Sequence, residues 1–107
     1  MLELLLLLEG YEVVTLQASH DTCHRAALLQ PALVIHDVQM EQPDAGWRVL
    51  RQLRAMSTTQ HIPMLIASAE PSLEEQAARI EVNHFVTVRK PFVVERLLEQ
   101  IRRLVQP

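Results

Sequence analysis

The stretch "ALVIHDV", residues 32–38, is apolar at four successive positions before it reaches His36 and Asp37. Apolar residues at every position, rather than at alternate ones, read as a strand buried on both faces. Such strands belong to parallel sheets covered by helices on each side. Working outward, "IPMLIASA" (62–69) is a second run of the same kind, and "HFVTV" (84–88) and the β-branched "YEVVTL" (11–16) read as further strands. The segments between them carry helical spacing. Ser19 is placed to cap a helix running to about Gln30 and closed by Pro31. After the turn-rich "QMEQPDAG" (39–46), Val49, Leu50, Leu53 and Met56 share one stripe. Leu73, Ala77 and Ile80 share another, and Leu97, Leu98, Ile101, Leu104 and Val105 a third. Strand and helix in alternation predict an α/β sandwich of three layers, with four parallel strands in one domain over residues 1–107.

The opening "MLELLLLLEG" needs its own reading. A secretory signal has a basic start and a small-residue cleavage site, whereas the first basic residue here is Arg25. A membrane span needs about 20 apolar residues, and Glu3 and Glu9 bracket a much shorter run. What remains is a short helix ended by Gly10, apolar nearly all round, so that neighbours are expected to cover most of it. The rest of the composition is that of an ordinary soluble domain, 49 % hydrophobic and 21 % charged. A net charge of −3 argues against direct nucleic-acid binding, and nothing argues for a membrane. The single cysteine, Cys23, allows no internal disulfide, and the expected compartment is the cytoplasm. In "HDTCH" (20–24), His20 and His24 stand one helical turn apart beside Cys23, but surface helix residues are the simpler reading than a metal pair.

In parallel α/β sheets, sites gather at the carboxyl ends of the strands. Asp37, Ser68 and Lys90 stand at or just past three of those ends. Singly, each reads as ordinary: a turn cap, a loop start, a solvated charge. Together they put a carboxylate, a hydroxyl and an ammonium at one rim. The chain has nine arginines and one lysine, and that lysine is Lys90. A compact ammonium meets a phosphoryl oxygen or a carboxylate differently from a planar guanidinium.

With "LVIHDVQM" (33–40), "IPMLIASA" (62–69) and "RKPF" (89–92) in this order and at these intervals, the chain resembles the receiver domain of bacterial two-component response regulators. The resemblance runs from "LLLLLEGYEVVTLQAS" (4–19) to "VERLLEQIRRLV" (94–105). It implies a flavodoxin-like fold with sheet order 2-1-3-4-5, and a phosphoryl group accepted from a histidine kinase or phosphotransfer protein with Mg²⁺ present. It makes Asp37 the acceptor, Ser68 the residue that binds a phosphoryl oxygen and switches rotamer, and Lys90 the partner of Asp37 or its phosphate. The Lys90–Pro91 bond would be cis. Asp37 and the backbone carbonyl of Gln39 would be Mg²⁺ ligands.

The departures carry consequences. The family's first strand, which ends in two acids that help hold Mg²⁺, would lie ahead of residue 1. With Asp37 as the one carboxylate left, the Mg²⁺ site is expected to be weak and phosphorylation slow. Glu41 stands where the family has proline, with one extra residue before Gly46, and Glu41 and Asp44 read as ordinary turn acids. Thr87 occupies the place of a switch aromatic. The missing strand would separate "YEVVTL" from "ALVIHDV". Its absence leaves three outcomes: direct pairing into four strands, self-association or strand swapping into a homodimer, or a chain that begins inside a longer protein.

The functional expectation is therefore a signalling receiver rather than an enzyme, with output through contact with a downstream protein. A degenerate receiver that binds or dimerises without phosphorylation is the alternative. An unrelated α/β domain is the third reading, since fold alone does not settle function.

Overall fold

The computed structural model describes residues 2–15, 22–37, 45–69, 71, 73–79 and 85–105. In chain order the elements are α1 (Leu2–Leu8), α2 (Thr22–Leu29), β1 (Val34–Asp37), α3 (Ala45–Ala55), β2 (Met64–Ser68), α4 (Leu73–Ala78), β3 (Phe85–Arg89) and α5 (Val94–Val105). Among the described residues the sheet has three parallel strands in the order β1-β2-β3.

The central strand explains the layering. All five residues of β2 are buried, and they alternate between two cores. Met64 and Ile66 face α2, α3 and α4 through Cys23, Ala26, Trp47, Leu50, Leu53 and Leu73. Leu65 and Ala67 face α1 and α5 through Leu6, Leu97 and Ile101. Successive strand side chains point to opposite faces, so one apolar run serves both layers. The helical stripes read from the sequence sit where that arrangement requires: Leu50 and Leu53 are fully buried under α3. Leu97, Leu98, Ile101, Leu104 and Val105 of α5 all join the second core. Ile80 lies outside the described residues.

Among the described residues three of the four expected strands are present, and the reason lies in strand pairing. Residues 11–15 form no strand, and Leu16 lies outside the described residues. β-branched residues favour a strand only where a neighbouring backbone completes the ladder, and β1 pairs with β2 alone. Tyr11 and Val13 pack into the α1/α5 core instead. The open side of β1 follows from its register. Val34 N–H donates to Pro63 O at 3.0 Å, and in a parallel ladder alternate residues bond to the same neighbour. The N–H and C=O of Ile35 therefore turn away from β2, toward an edge with no further strand among the described residues.

Helix α1 also departs from expectation. Leu6 is buried, but Leu4, Leu7 and Leu8 remain 58, 51 and 74 % exposed. Its end is as the sequence suggests. Gly10 has φ +91°, Gly10 N–H donates to Leu7 O at 3.0 Å and Tyr11 N–H to Leu6 O at 3.1 Å. These two bonds are the Schellman pattern that satisfies the last carbonyls of a helix. A Cβ at Gly10 would meet nothing within 4 Å, so a side chain there is opposed by the backbone angle alone. Gly10→Ala is expected to cost about 1 kcal/mol through that left-handed strain, read as a lower urea midpoint at unchanged slope. Arg102 of α5 adds an exposed ion pair to Glu9 at 2.8 Å. The bond to Glu9 holds the Arg102 guanidinium above its ordinary pKa.

Candidate functional site

The three parallel strands end together, and that places the candidate residues. Asp37 closes β1 and lies opposite Ala67, while Ala67 lies opposite Val88 and Ser68 opposite Arg89. Lys90 follows β3, and its backbone N–H donates to Ser68 O at 2.9 Å. Neighbouring strands run about 4.8 Å apart. The backbones of Asp37, Ser68 and Lys90 therefore occupy one carboxyl-end rim, spread across three adjacent strands. Parallel strands all point the same way, so residues that end successive strands must meet at one edge.

The side chains differ in setting. Ser68 is 3 % exposed, a hydroxyl held inside the rim. Lys90 is half-buried, and the Lys90–Pro91 peptide is cis, as the resemblance implies. The side chain of Asp37, and the whole of Gln39, Glu41 and Asp44, lie outside the described residues. Of the Mg²⁺ ligands that the resemblance implies, the carboxylate of Asp37 and the carbonyl of Gln39 therefore both lie outside what the structure describes. Among the described residues no group of three or more His, Cys, Asp or Glu side chains converges.

Other readings resolve with the fold. Cys23 is not a surface residue: it is buried, and its thiol donates to Gln52 Oε1 at 3.3 Å across the α2–α3 contact. His24 beside it is exposed, and His20 lies outside the described residues. Trp47 packs into the core. It is 5 % exposed, meets Phe85 edge-on, and its Nε1–H donates to Gln76 Oε1. Thr87 is half-buried on β3. Two contacts between elements carry no signal in the sequence. One is Trp47 with Gln76, 29 positions apart. The other is Arg89 Nη2 donating to Pro71 O at 3.2 Å, which ties the end of β3 to the segment after β2.

Comparison with known proteins agrees with this geometry. The response regulator receiver domain family matches residues 1–102. The response regulator MprA of Mycolicibacterium vanbaalenii is 34 % identical over 97 residues, which is 91 % of this chain and 41 % of that protein. The MprA of Mycobacterium leprae is 33 % identical over the same length and shares. The chain thus spans about 41 % of the length of these curated relatives. Among solved structures, the N-terminal domain of a response regulator receiver protein from Methanoculleus marisnigri JR1 superposes with a TM-score of 0.57. Its identity is 26 %, covering 99 % of this chain and 85 % of that one. The α/β layers are those of a flavodoxin-like receiver fold, and the chain belongs to the response regulator receiver-domain family.

Proposed function

We propose that this chain is a two-component signalling receiver that takes a phosphoryl group onto Asp37 from a histidine kinase or phosphotransfer protein. One observation carries the reading: the backbones of Asp37, Ser68 and Lys90 share a single rim, linked by the Lys90 N–H to Ser68 O bond. In the proposed step a carboxylate oxygen of Asp37 attacks phosphorus as the bond to the donor breaks. The transferred group carries about −1.5 to −2 charge. Lys90 supplies the compensating positive charge, and the Ser68 hydroxyl donates to a phosphoryl oxygen. Catalysis of this kind is positioning plus charge compensation. Mg²⁺, when bound, would share the charge compensation. Output passes through protein contacts, with no role for nucleic acid. No helix among the described residues is long and apolar enough to cross a membrane.

The test is incubation with acetyl phosphate and Mg²⁺, followed by intact mass. The expected result is a slow gain of one phosphoryl group by the wild-type chain and none by Asp37→Asn. A wild-type mass unchanged after prolonged incubation would remove the reading.

A second reading, a receiver that binds or dimerises without phosphorylation, is favoured by the one-sided pairing of β1. The outward N–H and C=O of Ile35 offer a template for another extended backbone. Two copies related by a twofold axis would pair their β1 strands antiparallel and close both edges at once. Light scattering at high protein concentration is expected to show a dimer mass under this reading, and a monomer mass would exclude it.

A further inference from the structure

Trp47 joins three elements with one side chain. It lies in the first turn of α3, which residues 38–44 connect to Asp37. Its buried ring meets Phe85 of β3 edge-on, with centroids 6.1 Å apart and planes at 88°. Its indole N–H donates to Gln76 Oε1 on α4. Helix α4 has six residues, too few to hold a helix in water by itself. Leu73 and Ala77 seat it in the core, and Gln76 ties it sideways to α3. A buried indole N–H requires an acceptor, so the ring and the helix are placed together. From the other flank, Arg89, the residue before Lys90, donates to Pro71 O just ahead of α4. One contact thus reaches α4 itself, and the other holds Pro71, two residues before the helix begins.

We propose that Trp47 is a positioning residue that makes the seating of α4 depend on the start of α3. A change at the start of α3 is then passed to α4 through the indole–Gln76 hydrogen bond. The tie itself stands on the contacts above; its use as a relay rests on Asp37 being the residue modified.

The experiment is amide hydrogen exchange on the full chain as wild type, Trp47→Phe, Gln76→Leu, the double variant and Gln76→Glu. Each of the first two substitutions removes the hydrogen bond: Trp47→Phe keeps an aromatic ring in the core, and Gln76→Leu replaces the amide with an apolar side chain of similar length. Each single variant is expected to speed exchange of the α4 amides about tenfold with β2 unaffected, because α4 opens locally. The double variant should go no further than either single one, as residues joined by one bond are not additive. Gln76→Glu, which keeps an acceptor, should return exchange toward wild type. Effects that multiply in the double variant, or α4 exchange unchanged in the singles, would overturn the tie. A second arm adds acetyl phosphate and Mg²⁺ and follows the adduct by mass. On chains that carry it, α4 exchange should shift in the wild type and stay put in Gln76→Leu. An equal shift in both overturns the relay. No adduct on the wild type overturns the receiver reading and the relay with it, while the exchange cycle still decides the tie.

Discussion

Lys90→Ala is expected to slow phosphorylation of Asp37 by acetyl phosphate about a hundredfold, with folding little changed. Two unit charges about 4 Å apart interact by about 4 kcal/mol at an effective dielectric near 20. Lys90 is half-buried, so solvent screens part of this. About 3 kcal/mol lost from the transition state is then close to two powers of ten in rate. The dependence should be steep because, among the described residues, Lys90 is the cation that backbone hydrogen bonding holds at the end of the rim. That bond uses main-chain atoms, so the alanine variant keeps it, and the loss falls on the chemistry. Lys90→Arg keeps the charge but offers a planar fork in place of a point charge, and should recover only part of the rate. The measurement is the time course of the mass adduct for each variant beside its urea midpoint. A Lys90→Ala chain as fast as wild type would take Lys90 out of the site.

The largest effect on stability is expected at Leu50. It is fully buried on α3, in the core shared with α2, β2 and α4. Leu50→Ala removes buried methyl groups and leaves a cavity, which together cost about 3 kcal/mol. Interiors of this kind are close-packed, and the rigid β2 on one side limits how far the site can collapse. Domains of this size hold about 5–15 kcal/mol in all, so one substitution takes a large share of the total. Met56, just past the end of α3, is 39 % exposed. Met56→Ala should cost under about 1 kcal/mol, since a half-exposed side chain leaves no closed cavity. Chemical denaturation of the two variants side by side gives the comparison. Equal losses would mean that the α3 stripe is not the wall of a close-packed core.

Much of this architecture was legible from residue order. The stretches at 32–38 and 62–69 became β1 and β2, and β2, continuously apolar from Met64 to Ala67, is buried throughout because it has no solvent-facing side to offer. The stripes of α3 and α5 became core faces because a period of 3.6 lines up one side of a helix. Gly10 ended α1, since a left-handed residue costs glycine almost nothing. Once strands alternate with helices, the rim also follows, because every parallel strand ends on the same side.

Tertiary structure alone decided the rest, wherever a residue's state depends on a partner distant in the chain. Residues 11–15 have strand-forming side chains yet form no strand, because a strand is completed by its neighbour's backbone and β1 offers its ladder to β2. Cys23 reads as a surface residue of an α2 motif but is buried, since the packing angle of α2 on α3 selects the covered face. Leu4, Leu7 and Leu8 read as core but stay exposed, because covering a helix takes neighbours on more than one side. The Trp47–Gln76 bond joins residues 29 positions apart. Periodicity and turn chemistry act within a few residues and so can be read along the chain. Which groups meet across layers is set by packing the whole, and only the folded arrangement holds that information.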